Sequence, residues 1–251
     1  MRVLSLGVNM FELFIHQQES YPAYLEDSLF RLLKEHQIDV ALLQEVRSSK
    51  LQYLPTDFQA ILPFPYHSQP TVDFRNHMTV ALHLKQQQWF FQQNYLNPVA
   101  GKYMVSIRNP AYWTILGVHM PLLLKRNEDK ALWEHVLLDE QHWHLIMGNF
   151  NAHNKKPLNH NWQLMQRLTK GEEPLYRNLW QEGLEQQKAY YLDYRGEKHL
   201  ANETHFYRTT NSNTQIDYAL GRNIDLNEII LDMRTLSFTN HCALIVDCCK
   251  R

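Results

Sequence analysis

Short apolar runs, each stopped by a glycine or a polar residue, recur along the chain and predict a sheet-rich protein. The sharpest is Leu145-Ile146-Met147-Gly148, which ends at a glycine and then presents Asn149, Asn151 and His153. The same pattern predicts strands over 2–9, 38–43, 78–84, 89–93, 103–107, 112–118, 144–148, 215–221, 228–235 and 243–249. Leu25, Leu29, Leu32 and Leu33 share one face of a helix over 22–37, and Leu132, Val136 and Leu137 do the same over 126–141. Two shorter helices are expected over 162–168 and 176–182. Prolines and aromatics between 55 and 70 suggest an edge strand with loops, and the unperiodic stretch 187–214 reads as a long functional loop.

Composition narrows this picture. A chain of 251 residues with 44% hydrophobic and 12% aromatic content can bury a large core. No repeat, low-complexity tract or linker interrupts it, so residues 1–251 read as one α/β (α+β) domain. A formal charge of −1 announces neither a nucleic acid nor an anionic membrane as partner. Cys242, Cys248 and Cys249 fall in the last ten residues without C-x-x-C spacing and read as reduced packing residues rather than a disulfide framework or a zinc site. Residues 1–14 are apolar but carry Arg2 and Glu12, lack a small-residue cleavage site and are too short to span a bilayer. A soluble, cytoplasmic monomer is the expectation.

Chemistry is expected where the runs stop. Six polar residues stand there, Asn9, Glu45, His119, Asn151, Asp217 and His241, with Asn149 and Asn240 beside two of them. Each alone has a plainer reading. Asparagine after a strand often bonds its own backbone, Asp217 fits a satisfied structural carboxylate, and one histidine among 14 is easily structural. Glu45 is harder to set aside, because a carboxylate directly after Val40 to Leu43 is partly desolvated and needs a cation or a donor.

Taken in order, the set carries a resemblance. Gly7-Val8-Asn9, Gln44-Glu45, Val118-His119, Gly148-Asn149-Phe150-Asn151, Ile216-Asp217-Tyr218 and Thr239-Asn240-His241 resemble the N-x-N, Q-E, His, G-D-F-N, I-D-Y and S-D-H motifs of the endonuclease/exonuclease/phosphatase superfamily. That superfamily includes pancreatic-type deoxyribonuclease, sphingomyelinases and inositol polyphosphate phosphatases. The resemblance implies a four-layer αββα sandwich, two mixed sheets face to face with helices outside. It implies Mg²⁺ or Mn²⁺ held by Glu45 with Asn240, and a phosphoester substrate contacted by Asn9 and Asn151. His241, oriented by Asp217, would act on the attacking water or the phosphate, and His119 on the leaving-group side. His119 also favours the deoxyribonuclease and phosphatase branch over the abasic-site branch.

Three positions depart from the motifs. Gly7 stands where the superfamily has asparagine, and Asn149 and Asn240 stand where it has aspartate. An amide neither accepts a proton near neutral pH nor brings charge to a cation. The catalytic set His119, Asn149, Asn151, Asp217 and His241 is therefore expected to give an attenuated phosphodiesterase, phosphatase or nuclease. The alternative is a catalytically inactive relative that binds a phosphorylated ligand or a protein partner. No basic cluster exceeds Lys155-Lys156 or Lys250-Arg251, which favours a small phosphoester, a lipid head group or a short single strand over long duplex.

Overall fold

Neighbouring residues of the central strands are buried in different apolar layers, Val3 in one and Leu4 in the next, Leu42 in one and Leu43 in the next. Strands buried on both faces read as unbroken apolar runs. The computed structural model describes residues 1–8, 21–46, 57–63, 78–92, 101–122, 127–138, 143–153, 156, 159–202, 209–210 and 214–251.

Two mixed sheets result, their strands numbered in chain order. The larger runs Lys198–Leu200 (β11), Ala189–Leu192 (β10), Ile224–Asp232 (β13), Ala243–Lys250 (β14), Arg2–Gly7 (β1), Val40–Val46 (β2), Met78–Leu84 (β4) and Phe58–Ile61 (β3). The smaller runs Phe90–Phe91 (β5), Met104–Arg108 (β6), Thr114–His119 (β7), Leu145–Asn149 (β8), Asp217–Gly221 (β12) and Arg177–Asn178 (β9). In the larger sheet β1 pairs with β2, and β10 with β13, in parallel; in the smaller, β7 pairs with β8 in parallel.

Three apolar layers make this a four-layer sandwich. Val3, Leu42, Ile115, Met147 and Leu244 fill the space between the sheets. Outside the larger sheet, helix Tyr21–Glu35 (α1) buries Leu29, Leu32 and Leu33 against Leu4, Leu43 and Ile245. Outside the smaller sheet, helices Asn127–Leu138 (α2) and His160–Thr169 (α3) bury Leu132, Trp133, Val136 and Met165 against Ile146 and Tyr218. A fourth helix, Leu179–Glu185 (α4), sends Leu179 and Trp180 into the layer between the sheets.

Local chemistry explains the boundaries. Helix α1 stops because Gln37 takes φ 51° while Ile38 N–H bonds Leu33 O at 2.9 Å and Gln37 N–H bonds Lys34 O at 3.1 Å, the paired bonds that close a helix C-terminus. Asn159 caps α3 by accepting from Trp162 N–H at 2.8 Å, and Asn178 caps α4 by accepting from Trp180 N–H at 3.1 Å. Gly148 has φ 150°, and a Cβ built there would lie 1.9 Å from Val118 O on β7. No side chain fits where β7 approaches β8 so closely.

Three expectations need correction, the first being the strand over 228–235, which runs instead over Ile224–Asp232 and gives way to a tight turn at Met233–Ser237. The stretch 187–214 is not one loop, because β10 and β11 form a hairpin there at the edge of the larger sheet. The helix expected over 176–182 starts at Leu179, since Arg177 and Asn178 pair with β12 first. Cys242 and Cys248 are buried free thiols, and burial pushes the Cys248 thiol up to about 12; Cys249 is exposed. No helix among the described residues is long and apolar enough to cross a membrane.

Candidate active site

Register alone brings three of the expected residues side by side. His119 pairs with Asn149 across β7 and β8, and Asn149 pairs with Asp217 across β8 and β12. They have the parity of Ile115, Met147 and Ala219, whose side chains lie between the sheets. All three therefore face the larger sheet. There the corresponding end is Gly7 paired with Gln44, and His241 lies just before β14.

Glu45 reaches this place through a backbone irregularity. Leu43 pairs with Val80 and Val46 with Met78, so β2 spends one more residue than β4 between the two rungs. Glu45 has φ 62°, in the left-handed region that costs a side-chain-bearing residue energy. Regular alternation would send Glu45 outward beside Leu43. The bulge instead re-aims it into the cleft.

Two histidine–carboxylate contacts then cross the gap between the sheets. His241 Nδ1 lies 2.9 Å from Asp217 Oδ2, both side chains almost fully buried. His119 Nε2 lies 3.6 Å from Glu45 Oε1, both partly exposed. Backbone donors hold the aspartate segment in place: Ile216 and Asp217 N–H bond the Thr209 hydroxyl at 3.0 and 3.2 Å. Tyr218 donates to Ala152 O at 2.8 Å and Gln215 O at 3.1 Å. Burial first, and the Asp217 charge second, push its phenol far up, so it remains a neutral donor tying β12 to the loop after β8.

The amides serve as turn chemistry as well as candidate ligands. Asn149 Oδ1 accepts from Asn151 N–H at 2.9 Å, and Asn151, at φ 49°, donates from Nδ2 to Met120 O at 2.7 Å. A side-chain amide carries two N–H groups, and this bond uses one of them. Asn240 Oδ1 is buried with no hydrogen-bond partner among the described residues. Asn9 lies outside the described residues.

The donor set fits a hard divalent cation. Glu45 offers a carboxylate and Asn240 an unbonded carbonyl oxygen, the ligand type Mg²⁺ and Mn²⁺ prefer. Only one of the two is anionic, so binding should be weak. A separate trio, Asp193, Glu197 and His199, has ligating atoms within 4.8 Å of one another. It sits on the β10–β11 hairpin, and Asp193 Oδ1 there already accepts from Arg195 and Glu197 N–H at 2.9 Å each.

Gly7, read from the sequence as a missing asparagine, has a positive role. A Cβ at this position would lie 2.9 Å from Cγ and Cδ2 of His241, so the imidazole rests directly on the Gly7 backbone. Gly7→Ala is expected to displace that ring and to cost about 1–3 kcal/mol through overpacking. Thermal melts and the His241 signals in a proton–nitrogen correlation spectrum check this without any substrate. Restoring asparagine at position 7 alone would meet the same collision.

Sequence reasoning missed the supports. Thr209 gave no signal because it acts on Asp217 from eight residues away. Thr239, whose hydroxyl donates to Gly7 O, was visible only as a motif neighbour. Tyr103 sets its ring edge-on to His119, centroids 5.9 Å apart, with Lys102 Nζ 4.8 Å from the Tyr103 ring centre. The loop carrying Asn151 also holds His153, whose imidazole is pushed down by burial and then by Lys156, which favours its neutral form.

Comparison with known proteins agrees with the geometry. The family model described as Endonuclease/Exonuclease/phosphatase family matches residues 9–229. None of the curated proteins matches the chain. Among solved structures, zebrafish (D. rerio) TDP2 complexed with single-strand DNA product is similar at a TM-score of 0.63 and 12% identity, covering 100% of this chain and 99% of that one. The human Nocturnin catalytic domain with bound sulfate is similar at 0.61 and 15%, covering 100% and 94%. The mannosyl-6-phosphatase Bt3783 of Bacteroides thetaiotaomicron gives 0.57 and 11%, with 99% of each chain covered. Such low identities establish the fold and leave the chemistry to the residues.

Proposed function

The chain belongs to the endonuclease/exonuclease/phosphatase family, and from that premise we propose that it is a divalent-metal-dependent phosphoester hydrolase. The observation that carries this reading is the buried pair of His241 Nδ1 and Asp217 Oδ2 at 2.9 Å. The carboxylate fixes the tautomer with the proton on Nδ1, so Nε2 is the nitrogen that takes a proton from the attacking water. Asn151 donates its remaining amide hydrogen to a phosphate oxygen, with Asn9 as a second contact. His119, steadied by Tyr103 and beside Glu45, supplies a proton on the leaving-group side. Glu45 and Asn240 hold Mg²⁺ or Mn²⁺, which when bound polarises a phosphoryl oxygen and acidifies water. In this reading residues 1–251 act as a single domain and as a monomer. The free thiols support a reducing, cytoplasmic setting, and the substrate is a small phosphoester, a lipid head group or a short nucleic acid.

A second reading is favoured by Asn149. Its side-chain oxygen serves the turn to Asn151, and its amide cannot act as a base. A ligand- or partner-binding relative without turnover would look the same there.

Hydrolysis of bis(4-nitrophenyl) phosphate and 4-nitrophenyl phosphate, titrated with Mn²⁺, separates the two. The expected result is slow, Mn²⁺-dependent turnover by the chain itself. Asn240→Asp should lower the Mn²⁺ concentration needed for half-maximal rate, because it adds a negative charge to the proposed metal ligands. If only the double variant Asn149→Asp, Asn240→Asp turns over, the binding reading replaces the hydrolase.

A further inference from the structure

The imidazole of His241 is held by Asp217 from the smaller sheet, but its backbone is held from the larger one. Beyond β13 the chain makes a tight turn over Met233–Ser237, starting from Asp232, whose carboxylate accepts from Arg234 N–H at 3.0 Å. It returns through His241 to Ala243, which pairs with Asp232 as the last rung of the β13–β14 ladder. Fully buried at the neck of this loop is Thr235. Its hydroxyl oxygen lies 2.8 Å from Asp232 O and 2.9 Å from His241 O, and it accepts the N–H of Ala243 at 2.9 Å.

A hydroxyl has one proton and two lone pairs. The Thr235 hydroxyl therefore spends a lone pair on Ala243 and shares its proton between the two carbonyls. One side-chain atom closes the loop at both ends and touches the residue that carries the imidazole. Thr239 adds a tie from the same loop to Gly7 O, beneath the His241 ring. Among the described residues an isolated bridge joins His241 to Thr210, and Cys242 N–H bonds Thr209 O at 2.9 Å.

We propose that Thr235 is a positioning residue for His241, setting where its backbone enters the cleft and hence where Nε2 lies relative to substrate. The proposal rests on the hydrolase reading for its effect on turnover, and on geometry alone for its effect on the ring. A misplacement of about 1 Å can cost roughly a hundredfold in rate. The sequence hides the role, since Thr235 is an ordinary threonine six residues from the histidine.

Thr235→Val keeps the shape and removes the donor and acceptor, while Thr235→Ser keeps both. Each is compared with the unaltered chain by kcat, KM and pH profile on bis(4-nitrophenyl) phosphate with Mn²⁺, corrected for folded fraction. The His241 imidazole signals are followed in a long-range proton–nitrogen spectrum. The expected result is a kcat lowered about ten- to a hundredfold in Thr235→Val, KM unchanged, His241 signals displaced, and near-complete rescue in Thr235→Ser. A folded Thr235→Val with unmoved His241 signals and unchanged kcat overturns the proposal, leaving Thr235 a stabiliser only. If the unaltered chain does not turn over, the hydrolase reading fails on its own, and the His241 signals still decide the positioning. Should Thr235→Val not fold, Thr235→Cys, a weaker donor of similar size, should shift those signals part of the way; no shift would again overturn the proposal.

Discussion

His241→Ala is expected to lower Mn²⁺-dependent phosphoester hydrolysis by about 10²–10⁴, the usual worth of a positioned acid or base. Asp217→Asn should fall close behind. An amide at 217 can present N–H where the carboxylate presents oxygen, which moves the imidazole proton to the other nitrogen and removes the acceptor at Nε2. The double variant should be little slower than the worse single one, because the two residues act as a unit. Near-multiplicative losses would mean that they serve separate steps. Both side chains are almost fully buried, so His241→Ala also strands a carboxylate and should lower stability. Rates must therefore be taken on folded protein, confirmed by circular dichroism at the assay temperature.

The largest expected loss of stability lies on the other face of the larger sheet. Asp232 is fully buried and meets His36 Nε2 at 2.9 Å and Arg234 Nη2 at 2.7 Å, while Arg234 continues to Glu35 at 2.8 Å. Asp232→Asn leaves a guanidinium and an imidazole without their shared anion. Breaking a buried pair this way costs about 3–5 kcal/mol, and the partial exposure of Arg234 places this case near about 3 kcal/mol. The pH dependence has a definite sign. Burial alone would raise the Asp232 carboxyl, but hydrogen bonds from His36 and Arg234 outweigh it and hold the group below the ordinary aspartate range. A carboxyl depressed in the folded state stabilises above its unfolded value, near about pH 4, and loses that contribution as pH falls through the folded value. Urea unfolding from neutral to acid pH should show the gap between wild type and Asp232→Asn widest at neutral pH and closing in acid. A gap independent of pH would put the stabilisation down to shape rather than charge.

Much of this architecture was legible because each central strand is a run of branched apolar residues stopped by a polar one. Strand β4 falls on the expected 78–84, and the helix expected over 162–168 appears one turn longer within His160–Thr169. The β10–β11 hairpin escaped because an edge strand such as Lys198–Leu200, with two of its three residues exposed, carries no apolar period. Five of the six strand-end residues lie at one end of the sandwich, and the sixth, Asn9, lies outside the described residues. The family resemblance already implied His241 with Asp217, whereas His119 with Glu45 was not readable, since that approach depends on how two sheets stack. The inward turn of Glu45 was equally silent, because a one-residue bulge leaves no mark in Gln44-Glu45. Gly7 was legible only as a missing asparagine, and that its bare backbone also lets an imidazole lie against β1 shows only in the folded chain.

Because both histidine–carboxylate contacts stretch from one sheet to the other, neither belongs to a single rigid element. Their lengths follow from the spacing of the sheets, ordinarily about 10 Å, which is set by Leu42, Ile115, Met147 and Leu244 deep between them. Those side chains act as a gauge block for the polar end. A contraction of that layer would bring both imidazoles nearer their carboxylates together, and a swelling would part them together. The two histidine–carboxylate contacts therefore share one mechanical coordinate, controlled from an oily interior that lies away from both of them.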